Sequence, residues 1–185
     1  MAGFFPGYRD FHGPGAYMVS PIANITHSQI MISTTYYLHL PLLHRTYDLW
    51  QGSCDSVRDY AGIVWSMSFQ PIVPTIIARS PFLQEAIPTL STDTRSIVVA
   101  QLTGTWKDSK DTAAIEVVAT KLINDIDIAA RTDSMQTDYV YLNYAHSGQH
   151  VFGGGRRKQW LQEMSMKYDP KGIFQQCVPG GFKLF

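Results

Sequence analysis

The chain has 185 residues, and its fifteen basic and fifteen acidic side chains cancel to zero formal charge. That balance argues against nucleic acid or an anionic membrane as the main partner, and no apolar run approaches the length of a membrane span. Two cysteines, Cys54 and Cys177, offer no disulfide framework, and a 45% hydrophobic content with ten tyrosines suits one globular core in a reducing compartment.

Residues 1–27 are rich in glycine, proline and rings without periodicity (Phe4, Phe5, Tyr8, Phe11, Tyr17). They read as an aromatic arm, because disordered tails are poor in aromatics. The opening MAGFFPGYRD has neither a basic n-region nor a continuous apolar run, so no secretory signal is expected and the cytoplasm is the expected location. Residues 28–185 read as a single domain.

Strand-like alternation begins at 27–40, with Ile30, Ile32, Thr34, Tyr36 and Leu38 on one face and Met31, Ser33, Thr35, Tyr37 and His39 on the other. Pro41 suits a first helical turn. Leu43, Tyr47, Trp50, Cys54 and Val57 then recur at helical spacing. A second strand over 63–70 alternates Ile63, Trp65, Met67 and Phe69 with Val64, Ser66, Ser68 and Gln70, and Pro71 closes it. The proline-rich stretch 71–94 reads as a long connection with a helical turn near 81–86, of a length that tends to be functional.

The third strand spans 96–106, with Gln101 and Thr103 on one face and Val98, Ala100 and Leu102 on the other. Asp108 or Ser109 caps a long helix to about residue 131, whose stripe is Ile115, Val118, Leu122, Ile126 and Ala129. A fourth strand is expected over 138–145, then a glycine turn and a helix ending before Pro170. The order strand, helix, strand, strand, helix, strand predicts an α+β fold of ferredoxin-like type, an antiparallel sheet with helices on one face plus a C-terminal helix and tail.

The most specific signal lies in 139–183. Tyr141, Asn143, Tyr144 and Ala145 precede Gln149, then come Lys167-Tyr168-Asp169-Pro170, Gly172, Phe174 and Gln175, and last Pro179-Gly180-Gly181-Phe182-Lys183. This ordered set resembles the C-terminal end of FAD-linked oxidases of the vanillyl-alcohol-oxidase and berberine-bridge-enzyme type, particularly their fungal secondary-metabolism members. The resemblance extends over about 25–183. It implies that the sheet corresponds to the substrate domain, whose open face looks across a flavin held by a separate domain, with Asn143 and Tyr144 on the flavin side. The family's FAD-binding domain has no counterpart here, and Gly153-Gly154-Gly155 lacks the spacing of a dinucleotide-binding loop. Two departures stand near the implied flavin: residues 88–93 replace a Gly-Gly-Asn-x-x-Gly-Leu stretch, and residues 153–157 replace Tyr-Gly-x-Glu-Asn.

Redox chemistry requires a cofactor, so the expected activity is cofactor-independent: a cyclase or pericyclase, isomerase or dehydratase acting on a small aromatic or polyketide-like metabolite. One alternative is a fragment or split subunit of an FAD-dependent oxidoreductase, with FAD supplied by a partner chain. Another is a non-catalytic ligand-binding accessory protein. The mixed strand faces supply the candidate site. Tyr141 and His39 are candidates for proton transfer or polarisation, and Asn143 and Gln101 for orientation. Tyr37 and Trp65 serve as walls, Trp65 only if it avoids the helices, while Ser68, Gln70 and Tyr144 contact substrate. Arg156, at a helix start, could bind a carboxylate, enolate or phenolate. His146 and His150 lack a third ligand at useful spacing, so no metal is expected. A mixed face without its partner domain exposes aromatics, so a homodimer, the arm folded over that face, or both are expected.

Overall fold

A computed structural model describes residues 27–80, 95–153 and 155–185, with 155–157 described by their backbone alone. β1 (Ser28–Tyr37), β2 (Val64–Ile72) and β3 (Ile97–Trp106) form one antiparallel sheet in the order β1-β3-β2. The helices are α1 (Leu40–Val57), α2 (Pro74–Ala78), α3 (Thr112–Thr132), α4 (Gly155–Tyr168) and α5 (Ile173–Gln176). No helix among the described residues is long and apolar enough to cross a membrane. The expected arm over 1–27 and the helical turn near 81–86 lie outside the described residues, apart from His27.

Alternation along the strands sorts the sheet into two faces. On one, Ile30, Ile32 and Tyr36 of β1 and Val98, Ala100, Leu102 and Trp106 of β3 are buried with Leu42 of α1 and with Ile115, Ala119, Leu122 and Ile126 of α3. Trp65 and Met67 of β2 pack against this cluster. The α+β reading with helices on one face is therefore the observed architecture. The α3 stripe also matches, except that Ala119, Ile123 and Ala130 join it and Val118 sits at its margin.

The buried stripe of α1 differs from the expected one. Val57 is buried and Leu43 and Trp50 pack on the core as expected, but Tyr47 is exposed, and Leu42 and Thr46 are buried in addition. The cause is Thr46, a polar residue that becomes a core residue once its hydroxyl is satisfied. Its Oγ1 donates to Leu42 O (2.8 Å) and accepts from the Tyr36 hydroxyl (3.1 Å). Burial pushes the Tyr36 phenol up to about 12, with the Thr46 hydrogen bond opposing.

The expected fourth strand is not formed. After α3 the chain touches β1 in a single bridge, Tyr36 with Gln136. The Tyr37 N–H donates to Met135 O (2.8 Å) and the Thr137 hydroxyl donates to Thr35 O (2.8 Å). One strand pair further along, the Gln149 side chain takes over: its amide donates to Ser33 O (2.6 Å) and accepts from Ser33 N–H (3.3 Å). Between these anchors, 139–145 leaves the edge and crosses the sheet, where Tyr139 is buried against Tyr37, Ile77, Ile97 and Val99. An alternating tyrosine pattern thus buries its rings on a sheet face instead of extending the ladder. Asp169, before the proline that ends α4, accepts from the backbone N–H groups of Ile173 (2.9 Å) and Phe174 (2.8 Å) and starts α5.

Two consequences are measurable. Gln149→Ala leaves the fully buried backbone of Ser33 without its side-chain partner, and chemical denaturation should show a loss of about 1–3 kcal/mol. The second concerns Asp127 on α3, which accepts from the Thr34 hydroxyl. Burial raises its pKa, while Thr34 and Arg131 oppose the shift. A folded pKa above the unfolded one means that this group favours the fold while protonated, and that the contribution is lost as pH rises through the raised pKa. Asp127→Asn keeps an acceptor for Thr34. Its melting temperature should match the parent at pH values below the ordinary aspartate range of about 4 and exceed it increasingly toward neutrality.

Candidate functional site

The sheet face turned away from α1 and α3 carries the polar alternates. Register places Ser33, Gln101 and Ser68 in one row across the three strands, with Thr35, Val99 and Gln70 in the next and Tyr37, Ile97 and Ile72 beyond. The β1 end of these rows is buried and the β2 end is open, since Ser68 and Gln70 are exposed while Ser33 and Thr35 are not.

The crossing segment converts this slope into a site. Residues Leu142–Tyr144 form a single 3-10 turn. Tyr144 OH accepts from the Gln70 amide (3.1 Å), tying the turn to β2, and Asn143 Nδ2 donates to Tyr141 OH (2.9 Å). The two tyrosine rings meet edge to face at 4.8 Å. They pack on a floor of Tyr37, Ile97, Val99, Ile77 and Tyr139. Beside them Ser68 Oγ donates to Gln101 Oε1 (3.4 Å), whose amide donates to Thr103 Oγ1 (3.1 Å). Ser33 Oγ and Thr35 Oγ1, on the same face, are buried with no hydrogen-bond partner, polar groups that a bound oxygen would satisfy.

Six expected site residues, Tyr141, Asn143, Tyr144, Gln70, Ser68 and Gln101, are therefore brought to one surface. Tyr37 shares the face but is 5% exposed, its ring under the Arg95 guanidinium at 3.7 Å. It is floor, not wall. Trp65 leaves the site: it lies on the helix face, where its indole N–H donates to Ser53 Oγ of α1 (2.9 Å). Its ring also covers Gly104, where an added Cβ would stand 2.7 Å from a ring carbon. His39 is also elsewhere. It is the residue before α1, with Nδ1 3.7 Å from Asp133 at the end of α3, and Arg45 reaches the same carboxylate at 3.4 Å. His39 and Tyr141 are thus not a proton-transfer pair. The side chain of Arg156 lies outside the described residues.

Two contributors were not among the expected site residues. Thr103 ends the Gln101 chain, and its position two residues along the same face was the available signal. Arg95 caps Tyr37 from a non-periodic stretch, and no sequence pattern marks it. The cluster itself is made of neutral donors and acceptors: two phenols, three amides and two hydroxyls. Among the described residues no group of three or more His, Cys, Asp or Glu could hold a metal.

Comparison with known proteins places this surface in context. The chain is 29% identical over 169 residues to a protein named oligopeptidase PhomG' of Diaporthe leptostromiformis, covering 88% of this chain but 13% of that protein. It is 38% identical over 81 residues to an FAD-dependent monooxygenase of Aspergillus calidoustus, covering 43% of this chain and 16% of the relative. A third relative, an FAD-dependent monooxygenase of Cercospora nicotianae, is 29% identical over 146 residues, covering 72% of this chain and 30% of its own length. The chain thus spans less than a third of these curated relatives. No family model and no solved structure matches it. Its relatives are fungal proteins, most of them named as FAD-dependent monooxygenases, in keeping with the resemblance in 139–183.

FAD, which those names imply, is held through its pyrophosphate by backbone amides at a helix start or by cations. The described neutral cluster offers neither, and Arg95, the cation beside it, lies over the Tyr37 ring. The chemistry open to the cluster is that of hydrogen-bonding side chains over an apolar floor.

Rim and floor should separate in stability measurements. Gln70 is exposed and can turn to water, so Tyr144→Phe should change unfolding free energy by less than about 0.5 kcal/mol. Ile97→Ala, in the fully buried floor, should cost about 2–5 kcal/mol.

Proposed function

We propose that this chain is a substrate-binding domain, related to part of fungal FAD-linked oxidases, that acts on a small aromatic or polyketide-like metabolite without a cofactor of its own. The observation that carries the reading is the neutral rim of Tyr141, Asn143, Tyr144, Gln70 and Ser68, with the buried Gln101 bonded behind Ser68, over an aromatic floor. Flat apolar ligands gain by covering such a floor, and the rim supplies directed bonds that fix their orientation. With no imidazole or carboxylate in the cluster, its power lies in holding a near-reactive conformer and polarising a carbonyl. Those are the needs of a cyclisation or pericyclic closure more than of an isomerisation or dehydration that requires a strong base. In this reading Asn143 and Gln101 orient the substrate, and Tyr141 donates to its developing negative oxygen.

A second reading rests on the relatives' names and on the share of their length that this chain spans. In it, the chain is one part of an FAD-dependent oxidoreductase whose flavin is held by another polypeptide segment. The two readings part in one assay. Purified chain is incubated with candidate pathway intermediates, anaerobically without FAD and in air with added FAD, and product is followed by mass. A product isomeric with its substrate, formed without added FAD, supports the first reading. Product that needs FAD and carries a mass change of two hydrogens or one oxygen supports the second. Binding without turnover would set aside the first reading and leave the second, its flavin-holding segment being absent from the assay, beside an accessory ligand-binding protein.

Asn143→Ala should lower turnover about a hundredfold, the scale of misplacing a reacting group by about 1 Å, because Asn143 Nδ2 holds the Tyr141 hydroxyl. Because Asn143 is exposed, its melting temperature should stay near the parent's. A fall in melting temperature with normal turnover would place the site elsewhere.

A further inference from the structure

We propose that the outer edge of β2 is a docking surface for the β2 of a second copy of this chain, paired antiparallel about a two-fold axis through Met67. The hydrogen-bonding direction of every strand residue follows from two contacts and the register. Ser33 and Tyr37 direct their N–H groups away from β3, to Gln149 and Met135. Backbone groups alternate sides along a strand, so the odd-numbered residues of β1 face outward and the even-numbered ones bond β3. Carried through the register, the odd residues of β3 bond the even residues of β2, as Gln101 with Ser68 and Thr103 with Ser66. Trp65, Met67, Phe69 and Pro71 therefore present their backbone groups outward. Pro71 agrees independently, because a residue with no N–H is tolerated in a sheet only where that group would face away from the ladder.

The two edges are treated differently. Gln149, Met135 and Thr137 occupy outward groups of β1 at Ser33, Thr35 and Tyr37. Among the described residues the outward groups of Trp65, Met67 and Phe69 have no such partner. Nor does β2 carry the charges by which open edges are usually protected, its sequence being VWSMSFQPI. Only Pro71 interrupts it.

A second copy fits this edge through its register. A two-fold axis at Met67 sets it against the partner's Met67, and sets Trp65 against the partner's Phe69 and the reverse. All of these belong to the outward set, so each pair can exchange both backbone hydrogen bonds. The same register brings an indole against a phenyl ring twice, the kind of cross-strand pair that stabilises a ladder, and Phe69 is 36% exposed to receive it. The ladder then ends by itself. Pro71 would come opposite the partner's Ile63, and Ile63 already donates its N–H to Tyr60 O. Pairing about a two-fold axis uses the β2 edge of both copies at once, so pairing through this strand stops at two copies.

Sedimentation equilibrium of the full chain should give the mass of two chains. Phe69→Lys, which sets a cation against the partner's indole at both ends of the ladder, should give one chain with unchanged far-UV circular dichroism and a cooperative melt. As a test that does not depend on how that variant folds, Met67→Cys in a Cys54→Ser, Cys177→Ser background provides a second arm. A directly opposed hydrogen-bonded pair has Cα atoms about 5.5 Å apart, within disulfide reach. Mild oxidation should therefore cross-link it as a dimer, while Ile128→Cys, exposed on α3, should not. A single-chain mass at every concentration, a folded Phe69→Lys variant that remains dimeric, or cross-linking at Met67→Cys no faster than at Ile128→Cys would each overturn the proposal.

Discussion

The occupation of β1's free edge by the segment after α3 is the constraint on which the rest of the molecule depends. A three-stranded sheet has two open edges, and each unpaired buried backbone group on them is costly. Met135, Thr137 and Gln149 occupy one edge between them, using a main-chain carbonyl, a hydroxyl and an amide side chain. Because a side chain closes the ladder at Ser33, the intervening residues are released from strand geometry. They are free to cross the sheet, and that crossing builds the candidate site. The same occupation leaves β2 as the edge with outward groups.

Within the site, stability and chemistry sit on different residues. Tyr37, Ile97, Val99, Ile77 and Tyr139 are buried and hold the crossing segment down. Gln70, Ser68 and Asn143 are exposed and hydrogen-bonded only to one another's neighbours. Rim residues of this kind contribute little to folding, so their identity is free to follow a ligand. Tyr141 and Tyr144 connect the two layers, with rings on the floor and hydroxyls in the rim. The helix face is the opposite case, where even its polar groups (Thr46, Tyr36 and Asp127) are taken up by internal hydrogen bonds.

The relatives sharpen what this division means. They are fungal proteins, several named FAD-dependent monooxygenases, and the chain spans only a fraction of their length. The open sheet face of this chain presents neutral hydrogen-bonding side chains over an aromatic floor.

Sequence alone determined the elements with strong periodicity. The three strands, both long helices, the helix before Pro170 and the division of the sheet into apolar and mixed faces follow from alternation at two and 3.6 residues. These patterns report burial that is decided locally. The grouping of Ser68, Gln70 and Gln101 on one face was legible for the same reason. Tertiary structure decided the rest. Thr46 reads as polar until Tyr36 and Leu42 satisfy its hydroxyl, which widened the α1 stripe. Tyr139 and Tyr141 alternate like a strand, yet alternation does not distinguish a ring buried on a sheet face from one pointing out of a ladder. Which of those occurs depends on whether the neighbouring edge is still open, and Gln149 had already closed it. His39 and Trp65 left the site because one residue's shift at a strand end, or one face's choice in β2, reverses a side chain's direction. Periodicity fixes the two faces but not which one the helices cover; packing against Gly104, Ser53 and Asp133 does.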